Sequence, residues 1–146
     1  TMKTINDSMT QDHRRCDEIF VEMEQAIMQR KWPEADRLCQ AFVNSMEHHF
    51  KIEEELLFPA LLQATNQANG PVNVMLMEHE QMRHLMSQLV SSLDNMSRSL
   101  SAGYVDTLLV TMQQHNMKEE SILYPMADNA VPDVSDVIDK AYSESA

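Results

Sequence analysis

Apolar residues return at intervals of three and four along four long stretches of the chain, the spacing that lays one side of an α-helix against a core. Met9, Cys16, Phe20, Met23 and Ile27 trace one such stripe, and Leu38, Phe42, Met46 and Leu57 trace another. Pro33 and Pro71 each open a periodic segment, as proline does in a first helical turn. The polar stretch 65–70 and the run Ser101-Ala102-Gly103 read as breaks. Together these signals predict helices over about 7–30, 33–64, 71–98 and 104–128, and Val131-Pro132-Asp133 opens a short C-terminal helix. Pro59 and Pro125 fall late in the second and fourth helices, where a missing N–H and a ring clash predict a kink or a break.

Shifting the sequence by 66 residues lays the first helix on the third and the second on the fourth. Met9 falls on Met75, Cys16 on Met82, Phe20 on Met86, Met23 on Leu89 and Ile27 on Leu93. In the other pair Leu38 meets Tyr104, Phe42 meets Leu108, Met46 meets Met112, Leu57 meets Leu123, Phe58 meets Tyr124 and Pro59 meets Pro125. The chain therefore reads as two copies of one helical hairpin. Short connections between long helices imply antiparallel neighbours, hence an all-α, up-down-up-down four-helix bundle whose halves are related by an approximate two-fold. The bundle would span about 7–128, followed by a C-terminal extension over about 131–146 within one domain, residues 1–146.

Composition agrees with this. The sequence has 146 residues, 43% of them hydrophobic, with two glycines and 13 methionines, enough for one packed core and rich in residues that lose little rotamer freedom in a helix. Eleven basic against 23 acidic residues give a formal net charge of -12, which repels phosphate backbones and anionic lipid and so argues against nucleic-acid or membrane partners. No apolar stretch approaches the roughly 20 residues that cross a bilayer, and a cytoplasmic protein is expected. Cys16 and Cys39 lie far apart with no Cys-x-x-Cys pair, which predicts reduced thiols on helix faces.

The same 66-residue shift carries His13 onto His79, His49 onto His115 and Glu53 onto Glu119. In each His-x-x-x-Glu the two side chains lie about 40° apart around a helix and about 6 Å apart along it, so both reach one interior point. His13 and His79 sit within the apolar stripes, so all four histidines face the core. Four buried imidazoles and two buried carboxylates need compensation, which a metal supplies. Nitrogen and carboxylate donors without a core thiolate motif favour iron or manganese over structural zinc, and six ligands exceed one tetrahedral site, so two ions are expected. With Glu53 and Glu119 bridging, room remains for an oxo or hydroxo bridge and a small exogenous ligand. Which histidine serves which ion the spacing leaves open. His48 and His84 break the repeat and are set aside. Glu54 and Glu120 obey it but point about 100° away from the neighbouring ligand, which suits an outer role. Cys16, one turn after His13, and Tyr124 are near-site residues to follow, with ordinary packing the expectation for Tyr124.

These residues resemble the hemerythrin-like, histidine-histidine-glutamate cation-binding family. The resemblance rests on Asp12-His13, His48-His49-Phe50-Lys51-Ile52-Glu53-Glu54-Glu55-Leu56-Leu57-Phe58-Pro59, Glu78-His79, and His115-Asn116-Met117-Lys118-Glu119-Glu120-Ser121-Ile122-Leu123-Tyr124-Pro125. It covers about residues 7–128 and implies a carboxylate-bridged di-iron site on His13, His49, Glu53, His79, His115 and Glu119. Oxygen-carrying hemerythrins have His-x-x-x-His on the third helix, where this chain has Arg83, and His-x-x-x-x-Asp on the fourth, where it has His-x-x-x-Glu. Both departures weaken the expectation of reversible oxygen carriage. The set of four histidines and two glutamates is closer to the di-iron domain of proteins that repair iron-sulfur clusters under nitric oxide or oxidative stress.

Three functions suit such a centre. The first is a binding module that takes up O2, NO or peroxide as sensor, scavenger or store. The second is an enzyme turning over peroxide or nitric oxide, and the third is an iron donor for cluster repair. No feature of the sequence names a substrate or an oligomeric state.

Overall fold

The computed structural model describes residues 3–144, and among them there is no strand. The chain forms an all-helical bundle: α1 Ile5–Met28, α2 Trp32–Ile52, α3 Phe58–Ala64, α4 Asn69–Asp94, α5 Arg98–Lys118, α6 Tyr124–Ala130 and α7 Val134–Glu144. Helix α1 packs along α2, and α4 along α5, while α1 also meets α5 and α2 meets α4. The predicted hairpins are thus the packing units. Thr4 starts α1 by accepting the Asp7 N–H at 3.0 Å while the Asp7 carboxylate accepts the Thr4 N–H at 3.2 Å. Asp128 of α6 accepts from the next two backbone donors, Ile5 and Asn6, and so ties the start of α1 to the far end of the chain.

Helix boundaries differ from the sequence expectation in one instructive place. Ser101-Ala102-Gly103 lies inside α5, and the break falls at 95–97 instead. There Met96 adopts φ 51°, and the Ser97 hydroxyl accepts the Leu100 N–H to start α5. The matching break after α1 uses Arg30 at φ 54°, again 66 residues earlier. Gly103 carries an exposed, solvent-facing position where a Cβ would meet nothing within 4 Å, so the helix runs through it.

Before each of the two late prolines the α-helix is interrupted, as expected of a break near its end, and then resumes. Each follows a five-residue π-helical segment, Glu53–Leu57 before Pro59 and Glu119–Leu123 before Pro125. The Phe58 N–H bonds back to the Glu53 carbonyl, and the Tyr124 N–H to the Glu119 carbonyl, an i to i−5 pattern in place of i−4. The wider turn lets the helix resume past a residue that has no N–H to give. Each widened turn begins at one of the two repeated glutamates.

Buried apolar residues form two clusters. One gathers Phe20, Phe42, Met86 and Leu108 toward the end with the 29–31 and 95–97 breaks, and the other gathers Met9, Leu57, Met75, Leu123 and Ile138 at the opposite end. Helix α7, which the sequence expectation left as an extension, packs on α1 and on the first π segment through Ile138 and closes the second cluster. Cys16 and Cys39 are free and buried in the first cluster. No helix among the described residues is long and apolar enough to cross a membrane.

Candidate metal centre

Between the two apolar clusters lies a polar layer. His13, His49, His79, His115, Glu53 and Glu119 are all buried there, at 5% exposure or less. His84 is exposed and His48 half-buried against Tyr142, so the two histidines outside the repeat stay outside the layer.

The halves interlock. His13 of the first hairpin places Nε2 3.0 Å from Glu119 Oε1 of the second, and His79 of the second places Nε2 2.9 Å from Glu53 Oε1 of the first. His115 Nε2 lies 3.2 Å from Glu119 Oε1, while His49 Nε2 is 3.6 Å from Glu53 Oε2 and 3.9 Å from Glu119 Oε1. Among the described residues the donor atoms fall into two groups, each confined within 4.8 Å: Glu53, His79, His115 and Glu119 in one, His13, His49 and Glu119 in the other. Glu119 is common to both.

Every one of these imidazoles gives its other nitrogen to a carboxylate. His13 Nδ1 donates to Glu120 at 2.7 Å and His79 Nδ1 to Glu54 at 2.6 Å. His49 Nδ1 donates to Asp12 at 2.8 Å and His115 Nδ1 to Glu78 at 2.9 Å. A carboxylate accepts and does not donate, so each Nδ1 carries a proton, and each Nε2 points inward to the two central carboxylates. Glu54 and Glu120 therefore fill the outer role expected of them. Asp12 and Glu78 fill the same role unpredicted, although a signal was present: they stand 66 residues apart, each just before a repeated histidine.

Without a cation the layer is held by buried histidine–glutamate ion pairs. Burial works against a charge on His115, but the negative charge of Glu119 and its hydrogen bond outweigh this and raise His115 to about 9. Burial would likewise push Glu119 up, yet His115 and the hydrogen bonds from His115 and His13 hold it well below the usual carboxylate range. Two buried atoms of the layer lack a well-aligned hydrogen bond: His115 Nε2, whose nearest acceptor is Glu119 Oε1 at 3.2 Å, and Glu119 Oε2. Such atoms are costly unless something else engages them. Donors about 2.0–2.2 Å from one ion at angles of about 90–110° would stand about 2.8–3.6 Å apart, which is the range of the closer nitrogen-oxygen separations here. The residues fit a metal.

A family model, the hemerythrin HHE cation-binding domain, matches residues 4–127. The chain belongs to the hemerythrin HHE family. No curated protein and no solved structure gives a significant match. The family is a cation-binding one, and the buried histidines and glutamates form groups that could hold a metal ion.

Two tyrosines also reach the layer, Tyr124, followed from the sequence as a near-site residue, and Tyr142, which the sequence did not signal. Tyr124 buries its hydroxyl in the layer, 2.7 Å from Glu53 Oε2, 2.8 Å from Glu119 Oε1 and 3.2 Å from both His13 Nε2 and His49 Nε2. Its alignment with Phe58 marked it as a core ring and hid the oxygen. Tyr142 of α7 brings its hydroxyl 3.0 Å from His49 Nδ1 and, with Asp12, lines a surface cavity of about 890 Å³. Cys16 lies in the first apolar cluster, where burial pushes its thiol up to about 11 and keeps it protonated.

Proposed function

We propose that this hemerythrin-family chain is a non-haem di-iron protein that takes up O2, NO or peroxide at two ions. His13 and His49 would hold one ion, His79 and His115 the other, with Glu53 and Glu119 bridging. The observation that carries this reading is the convergence of four Nε2 atoms on two buried carboxylates, with Glu119 Oε2 left without a hydrogen-bond partner. In this reading the chain is one domain and its four long helices run up-down-up-down about a pseudo-two-fold axis.

Imidazole and carboxylate donors without thiolate suit iron, and a pair of irons joined by carboxylates and an oxo or hydroxo group supplies one- and two-electron chemistry to a small bound ligand. The protein's own contribution is orientation. The carboxylates on each Nδ1 fix the ring plane and make Nε2 a better donor, and the repeated π segments aim Glu53 and Glu119 inward. Near-complete burial limits the exogenous ligand to a few atoms and excludes bulk water from it. This supports sensing, scavenging or storage of a diatomic or peroxide rather than action on a large substrate.

Metal analysis with optical spectra before and after reduction tests the first half of the proposal. The expected outcome is two irons per chain and near-ultraviolet bands that bleach on reduction, whereas no iron and no ferrous uptake would sink it. Rapid mixing of the reduced protein with O2 or NO tests the second half, where a spectrum that does not change would exclude a ligand-binding role.

A further inference from the structure

The repeat places Phe58 and Tyr124 at equivalent positions, each following one of the π segments, yet only one of them ends in oxygen. The Tyr124 hydroxyl is not at the margin of the polar layer. It stands 2.7–3.2 Å from four of the atoms assigned above as ligands: His13 Nε2, His49 Nε2, Glu53 Oε2 and Glu119 Oε1. These separations match those among the ligand atoms themselves, so the oxygen sits as one more corner of the same polyhedron and not as a neighbour behind it.

Hydrogen bonding accounts for only part of this placement. A phenol has one proton, and here two carboxylate oxygens lie within 2.8 Å of it. Only one of them receives that proton, and the other meets an oxygen lone pair at close range. The two imidazole Nε2 atoms reach the same oxygen at 3.2 Å, with their Nδ1 protons committed to Asp12 and Glu120. A cation among these atoms turns each repulsive contact into a shared attraction.

We propose that Tyr124 is a phenolate ligand to the ion held by His13 and His49, and that the ion held by His79 and His115 has no such ligand. This rests on the di-iron reading above and makes its two ions chemically different. On ligation the phenol O–H bond breaks, the oxygen keeps the electron pair as it binds the metal, and the proton leaves to solvent. No electron is transferred. Phe58 stacks near His79 with ring centroids 5.8 Å apart, as Tyr124 lies 5.7 Å from His13, so the ring itself is an ordinary core group in both halves and only the oxygen distinguishes them.

The full chain, loaded with ferrous iron and oxidised, would be compared with Tyr124→Phe, Tyr142→Phe and Phe58→Tyr by iron content, visible absorption and resonance Raman scattering. A phenolate-to-iron charge-transfer band is expected in the parent protein, with ring and C–O modes enhanced under it. Tyr124→Phe should keep two irons and lose the band, Tyr142→Phe should keep both, and Phe58→Tyr should strengthen the band by adding a second phenolate. Two irons without phenolate modes in the parent, or modes that survive in Tyr124→Phe, would overturn the assignment while leaving the di-iron reading intact. Failure to bind iron at all would overturn both. Should Tyr124→Phe not fold, the parent spectrum and the response of Phe58→Tyr still decide the matter.

Discussion

His13 and His79 occupy equivalent places in the two halves of the bundle, and the groups that brace them differ. The outer carboxylate of His79, Glu54, is gripped by two Arg83 nitrogens at 3.0 and 3.2 Å, and the Phe50 ring stacks on the imidazole at 4.0 Å. The outer carboxylate of His13, Glu120, instead has Asp17 where the repeat puts Arg83, and the mutual repulsion with burial raises Asp17 above its usual range. Asn116 stands at the place of Phe50, Tyr124 at that of Phe58, and Tyr142 approaches only the His49 side. What the two halves share is the set of groups that fixes geometry: histidines, inner and outer carboxylates, π segments and αL breaks. What differs sets charge and access. The His13 and His49 side gains two phenol oxygens, from Tyr124 and Tyr142, while on the His79 side Arg83 gathers Glu54, Glu47 and Glu80.

The largest effect expected from breaking this arrangement is at the inner carboxylates. Glu119 belongs to both donor groups and Glu53 to one, so Glu119→Ala should abolish paired iron binding, with at most one iron left, while Glu53→Ala should lose one ion and keep the other more often. Iron-to-protein ratios decide this, and two irons retained in either variant would refute the ligand set. Next comes the metal-free protein as a function of pH. His115 is raised to about 9 from 6.5, so its charge stabilises the fold fully below about 6.5, and that contribution fades as pH climbs through 9. Glu119 is lowered, so its contribution is present above about 4.5 and lost in acid. Chelator-treated protein should therefore be most stable between about 5 and 6.5 and weaker by on the order of 2–3 kcal/mol near pH 9. Urea midpoints that rise toward pH 9 would show that these charges are not paired in the fold.

A smaller effect should separate the outer carboxylates. Removing such a partner typically costs 10–100-fold in metal affinity, roughly 1.4–2.7 kcal/mol. Glu78→Ala leaves His115 Nδ1 without its acceptor, whereas Asp12→Ala leaves Tyr142 beside His49 Nδ1, so Glu78→Ala should weaken iron binding more. Equal losses in a competition with a chelator would mean that Tyr142 does not support His49.

Much of this comparison was legible in the sequence because one offset of 66 residues carried the apolar stripes and the six donors together. What escaped were features with no residue-type signature. The break at 95–97 turns on Met96, a residue that carries no turn signal, while Gly103 signals a break and sits in an open helical position that tolerates it. The π segments were hidden for a related reason. A late proline announces trouble for an α-helix, but the sequence does not say whether the chain bends, stops or widens by one residue, and packing around Glu53 and Glu119 decides that. Asp12 and Glu78 were visible in hindsight, for each obeys the repeat one residue before a histidine. Tyr124 was the hardest, since its ring follows the pattern and only its oxygen departs from it.

The smallest expected effect tests whether the two halves still fold by the same local rules. Arg30 and Met96 end α1 and α4 at φ 54° and 51°, and the following amides, Lys31 and Ser97, reach back to the Ala26 and Ser92 carbonyls at 2.9 and 3.1 Å. A side chain in this left-handed conformation costs about 1–2 kcal/mol, while glycine there gives back about 0.5–1 kcal/mol through its looser unfolded chain. Arg30→Gly and Met96→Gly should therefore each raise stability by roughly 0.5–1 kcal/mol, read from thermal or urea unfolding, with iron content unchanged. Matching gains would mean that the hairpin turns have stayed equivalent while the metal layer diverged. Met96 is 62% exposed and has little packing to lose, so a loss of stability in Met96→Gly would place the divergence in the turns as well.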